Sequence, residues 1–129
     1  MTNEVAPPGK KVLMVEDDRA IRRTIEFRLK NAGFNVLLAI DGEEGIALAQ
    51  KEKPGLILLD LILPKLNGFE TLKRLKADAA TKDIPVVVFT NLSQEADEEQ
   101  VRALGAVGFF VKSSMSLDRV VDTVREYLR

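Results

Sequence analysis

Four of the five short apolar runs in this 129-residue chain end on side chains able to do chemistry. Lys11-Val12-Leu13-Met14-Val15 stops on Glu16 and Asp17, Leu56-Ile57-Leu58-Leu59 on Asp60, Val86-Val87-Val88-Phe89 on Thr90, and Gly108-Phe109-Phe110-Val111 on Lys112. Burying a carboxylate is costly unless it is paired or bound to a metal, so Asp60, inside a run that continues apolar to Leu63, needs a partner at the strand mouth. Three carboxylates drawn together cannot all stay ionised unless a cation sits among them. The chain contains no histidine and no cysteine, which removes the usual zinc ligands, the commonest general base, cysteine nucleophiles and disulfides. An oxygen-only ligand set points to Mg²⁺, which keeps several waters and joins carboxylates to a phosphoryl group. Lys112 and Thr90 could each take a phosphoryl oxygen while Asp60 attacks in line.

The elements that must position these residues follow from hydrophobic spacing. The apolar runs, with Asn35 to Ala39 as the remaining one, read as strands buried on both faces. Between them lie helical patterns. Asp18 caps a helix with Ile21, Ile25, Leu29 and Ala32 on one face and Gly33 as its stop. A second runs from Asp41-Gly42 to about Glu52, with Gly45 expected where backbone approaches backbone. A third spans Asn67 to about Ala77. The segment Ser93 to Leu104 is rich in acids and leaves little to bury, so it is expected to be the least firmly docked. Ser116 caps the last, where Leu117, Val120, Val121, Val124 and Leu128 share a face. Strands alternating with helices five times predict an α/β fold, a doubly wound parallel sheet covered on both faces. The C-terminal ends of such strands open on one edge, where ligands bind beside the point at which strand order reverses. In the order 2-1-3-4-5 that point brings Glu16, Asp17 and Asp60 together.

The length predicts one domain, residues 11–129, behind a short disordered leader, residues 1–10. Nineteen basic against twenty acidic residues give no electrostatic case for nucleic acid or an anionic membrane, so neither is expected as a partner. No stretch reaches the ~18 apolar residues of a membrane span, and a cytoplasmic location is expected. With nothing after Arg129, output is expected to pass through protein contacts.

The acidic pair Glu16-Asp17, the stretch Asp60-Leu61-Ile62-Leu63-Pro64 with Gly68, Thr90 and Lys112 form an ordered set. By that set the chain resembles a response-regulator receiver domain of the chemotaxis-regulator type from Lys11 to Leu128. The resemblance, rather than the spacing, supplies the flavodoxin-like order 2-1-3-4-5, known for that family. It implies Asp60 as phosphoacceptor, Asp17 and Asp60 as direct Mg²⁺ ligands, Ile62 as a ligand through its carbonyl and Glu16 as one through water. Thr90 and Lys112 would contact the phosphoryl oxygens, and Phe109 would be the aromatic that turns inward when the hydroxyl moves. It further implies a phosphorylation-dependent switch of a two-component phosphorelay. Its partners would be a histidine kinase or phosphotransfer protein and a downstream protein target, with dimerisation on phosphorylation a further expectation. No enzyme acting on external substrates is implied, only Mg²⁺-dependent self-phosphorylation; self-dephosphorylation is expected to be slow because Ile62 and Leu92, two residues past Asp60 and Thr90, cannot hydrogen-bond a water.

Two departures stand out. Asn91 takes the place of a small residue after the hydroxyl, and Ser113 takes the place of a proline after the lysine, so a trans Lys112-Ser113 bond is expected. Plainer readings exist for single residues: Asp18 as a helix cap, Lys112 as a structural ion-pair partner of Asp60, the acids after Ser93 as a solvated face. Two other functions compete. One is an interaction module that ignores phosphorylation. The other is a metal-dependent phosphohydrolase, which would often carry a second aspartate where this chain has Ile62. Nucleotide binding is disfavoured because no GxGxxG or GxxxxGK[ST] motif follows a strand.

Overall fold

The computed structural model describes residues 10–128, so the expected leader lies outside the described residues except for Lys10. Strands and α-helices alternate, with one 3-10 turn before the last helix: β1 (Lys11–Val15), α1 (Arg19–Asn31), β2 (Asn35–Ala39), α2 (Gly42–Glu52), β3 (Leu56–Leu59), α3 (Gly68–Ala77), β4 (Val86–Thr90), α4 (Glu95–Ala103), β5 (Gly108–Val111), the 3-10 turn Lys112–Ser114 and α5 (Leu117–Tyr127). All neighbouring strands pair in parallel, in the order β2-β1-β3-β4-β5.

Because successive strand side chains point to opposite faces, the apolar runs serve two cores at once. Val12 and Met14 of β1, Leu56 and Leu58 of β3, and Val87 and Phe89 of β4 meet Ile25 and Leu29 of α1 and Val120, Val121 and Val124 of α5. The intervening residues Leu13, Val15, Ile57, Leu59, Val86 and Val88 meet Ala49 of α2, Leu72 and Leu75 of α3, and Val101 of α4. The result is the expected three-layer sandwich.

Four helices start on a capped residue. The side chains of Asp18, Asp41, Asn67 and Ser116 accept from the amides of Ile21, Glu44, Glu70 and Arg119, each cap being worth about 1 kcal/mol. Helix α4 is the exception. It begins at Glu95 rather than Ser93, its N-cap Gln94 makes no side-chain cap bond, and Val101 is its one buried residue. That is the weak docking the acidic sequence predicts.

Gly45 marks a close approach of a different kind from the one expected. A Cβ there would lie 2.9 Å from Cγ2 of Val15, so the α2 backbone rests on a β1 side chain rather than on backbone. At Gly68 a Cβ would sit 2.3 Å from the carbonyl oxygen of Asp60. Only a residue without a side chain lets α3 begin directly under that aspartate. Among the described residues, no helix is long and apolar enough to cross a membrane.

Candidate functional site

The register of the sheet decides which strand ends meet. Val15 pairs with Leu59, so one step further Glu16 lies beside Asp60. Thr90 pairs with Val111, so Lys112 follows at the same edge. Continuing the strand alternation places Glu16, Asp60 and Lys112 on the side of α1 and α5, and Thr90 on the side of α2, α3 and α4.

The lysine closes the first group. Lys112 Nζ lies 2.9 Å from Asp60 Oδ2 and 2.5 Å from Glu16 Oε1. It donates a hydrogen bond to Asp60. The approach to Glu16 is close but off the line a hydrogen bond needs, so Oε1 is a buried oxygen with no aligned donor. The other Glu16 oxygen accepts from the Asp18 amide at 3.1 Å, and Asp60 Oδ1 accepts from the Ile62 amide at 3.2 Å. Burial pushes the Glu16 carboxyl above its ordinary pKa even though Lys112 pulls the other way. Burial also works against the Lys112 ammonium, but its contacts with Glu16 and Asp60 outweigh that and its pKa is raised. Lys112 also lines an apolar cleft of about 270 Å³ with Ile21, Ile25, Phe89, Met115 and Leu117 among others. The Phe89 ring centroid lies 5.8 Å from the ammonium, within cation–π range.

Asp17 is exposed yet joins the group: oxygens of Glu16, Asp17 and Asp60 all lie within 4.8 Å of one another. Ligands on opposite sides of a Mg²⁺ ion with bonds of about 2.1 Å would be roughly 4.2 Å apart, so a small side-chain adjustment suits these oxygens to one hard cation. The Glu16 oxygen without an aligned donor and the excess of carboxylate over ammonium both fit such an ion. Ile62, by contrast, presents its side chain to solvent, 55% exposed.

Thr90 is fully buried and its hydroxyl accepts from the Leu92 amide at 3.3 Å. Among the described residues no hydrogen bond joins it to Asp60 or Lys112. Phe109 is partly buried with Leu92 and Leu104 on Thr90's side of the sheet, directly opposite Val88. No described peptide bond is cis, so Lys112-Ser113 is trans, as expected for serine.

One residue of the site escaped the sequence reading. Arg22 Nη1 donates to the carbonyls of both Glu16 and Asp17, at 3.0 and 3.2 Å. Its position four residues after the Asp18 cap, one turn up and over the loop, was the available signal, but an arginine on a helix surface ordinarily reads as solvated.

A family model described as the response regulator receiver domain matches residues 12–125. The chain is 40% identical over 119 residues to the DNA-binding dual master transcriptional regulator RpaA of Synechocystis sp., covering 92% of this chain and 49% of that protein. Among solved structures, Vibrio cholerae chemotaxis protein CheY4 superposes with a TM-score of 0.84 at 31% identity, covering 92% of this chain and 98% of that one. The Mn²⁺-bound form of response regulator Rcp1 gives a TM-score of 0.76 at 32% identity, covering 91% of this chain and 90% of that one. The chain thus spans about half the length of RpaA, and the DNA-binding in that protein's name leaves the expectation of no nucleic-acid partner without support.

Proposed function

The chain belongs to the response-regulator receiver domain family of two-component systems, and from that premise we propose that it is a cytoplasmic switch set by phosphorylation of Asp60. The donor would be a phosphohistidine on a kinase or phosphotransfer protein, and the readout a protein target. The observation that carries this reading is the Lys112 ammonium held between Glu16 and Asp60 at the mouth of the sheet, with Asp17 alongside.

The roles follow from this arrangement. An Asp60 oxygen attacks phosphorus as the donor's P–N bond breaks, and an acyl phosphate forms while the imidazole leaves. Both carboxylate oxygens are already held, one by the Lys112 ammonium and one by the Ile62 amide, which limits the rotation lost on reaction. Charge builds on the equatorial phosphoryl oxygens, and Lys112 is placed to take one of them. The Thr90 hydroxyl would leave the Leu92 amide to take another, and Phe109 would fill the space on that side. Asp17, Asp60, the Ile62 carbonyl and, through water, Glu16 would hold Mg²⁺, which when bound offsets the negative charge of carboxylate and phosphoryl group together. Rcp1 in its Mn²⁺-bound form supports a divalent cation in a relative of similar sequence.

Intact mass after incubation with acetyl phosphate and Mg²⁺ tests the reading. One phosphoryl adduct on the wild type and none on Asp60→Ala is expected, and an adduct retained by the variant would place the phosphoacceptor elsewhere.

A further inference from the structure

The turn from β1 to α1 is three acids in a row, Glu16-Asp17-Asp18. They serve respectively as a buried partner of Lys112, an exposed member of the acidic cluster, and a helix cap. Such a turn repels itself, and it leaves the carbonyls of Glu16 and Asp17 outside both sheet and helix. Among the described residues, the only donor reaching either carbonyl is Arg22, whose single Nη1 nitrogen serves both. The arginine side chain is half-buried and rises from the first turns of α1, whose own start is fixed by the Asp18 cap and by the Arg22 amide donating to Asp18 O at 2.9 Å. Backbone and side chain of one residue therefore clamp all three acids of the turn.

We propose that Arg22 is a positioning residue for the cation site: by holding the Glu16 and Asp17 carbonyls it fixes the direction in which the Asp17 carboxylate faces Asp60. This rests on the Mg²⁺ site proposed above. Asp17 is exposed and forms no hydrogen bond through its own side chain among the described residues, so its direction is set by the backbone that carries it. Without the clamp the turn samples arrangements in which Asp17 points to solvent, and cation binding must then pay the ordering cost.

The sign of the effect separates positioning from charge. A guanidinium beside a cation site repels the incoming ion, so if charge alone mattered, removing it would tighten binding. If Arg22 positions the loop, removing it weakens binding, by about tenfold for an outer partner of a metal ligand. Calorimetric titration of the unphosphorylated chain with Mg²⁺ compares wild type, Arg22→Ala, Arg22→Lys and Arg23→Ala. Arg23 is exposed and makes no hydrogen bond to the turn among the described residues, so its loss removes the same charge from the neighbouring position. The expected result is a roughly tenfold loss for Arg22→Ala, an intermediate affinity for Arg22→Lys, and affinity unchanged or slightly raised for Arg23→Ala. Arg22→Ala binding as tightly as wild type, or tighter, overturns the proposal while leaving the cation site intact. A wild type that takes up no cation removes the site and this inference with it. Should Arg22→Ala not fold, Arg22→Lys decides, because it keeps the charge: weaker binding than wild type supports the clamp and equal binding overturns it.

Discussion

The Lys112 ammonium and the Glu16 carboxyl respond to pH in the same sense, each losing stability as pH rises, but in separate windows. The folded-state pKa of Lys112 is raised above its ordinary 10.5, so its contribution to stability is complete below that pH and disappears as pH climbs through the folded value. Glu16 is also raised, from 4.5 and chiefly by burial. Between 4.5 and its folded value the unfolded chain binds fewer protons than the native one, so stability falls as pH rises through that window. Removing the lysine leaves two buried acids facing each other without compensation. Lys112→Met should therefore be less stable than wild type at pH 7 by about 3 kcal/mol and should recover part of that loss on acidification, as Glu16 takes up its proton. Urea denaturation of the cation-free chain from about pH 4 to about pH 11 reads both limbs. The alkaline decline should be steeper in wild type than in the variant, and parallel curves would show that the ammonium is not held as its contacts indicate.

Among the elements, α4 is the one whose sequence and structure agree on weakness, with an uncapped start and Val101 alone buried. Gln94→Ser supplies the missing cap and should add about 1 kcal/mol to the helix, read as slower amide exchange over Glu95–Ala103 with little change elsewhere. Unchanged exchange there would mean that α4 opens from its C-terminal end instead. This weakness is legible in the sequence because it depends on residues close along the chain, and so are the strands, the caps at Asp18 and Ser116 and the inward face of α5. What depends on distant residues is not. The order that sets β1 beside β3 came from family resemblance, since no local pattern distinguishes one strand order from another. Gly45 was legible as a close approach, but its partner Val15 was not. Likewise Thr90 was legible as a strand end with a hydroxyl, whereas its bond to the Leu92 amide depends on how the chain turns after β4. Arg22 was missed because its partners are backbone carbonyls, which have no sequence signature.

For the molecule as a whole, the sheet divides the labour at its C-terminal edge. Glu16, Asp60 and Lys112 continue the face covered by α1 and α5, while Thr90 and Phe109 belong to the face that carries weakly docked α4. A phosphoryl group on Asp60 that engaged Thr90 would thus draw on both faces, and the signal would last as long as the acyl phosphate does. Its hydrolysis needs a water in line behind phosphorus. In this family the side chains two residues after Asp60 and two after Thr90, here Ile62 and Leu92, are expected to orient or exclude that water. Ile62 is 55% exposed, and Leu92 is partly buried against the core on Thr90's side of the sheet. Neither can hydrogen-bond a water. Slow self-dephosphorylation is the expected consequence, limited by water positioning rather than by the cation. Replacing Ile62 by Asn and Leu92 by Glu together should shorten the half-life of the phosphorylated chain in saturating Mg²⁺, on the order of tenfold, measured as loss of the phosphoryl adduct with time. If the double variant decays no faster than wild type, access is governed by Asn91, the exposed side chain that follows the hydroxyl, and Asn91→Ala should then change the rate where the pair did not.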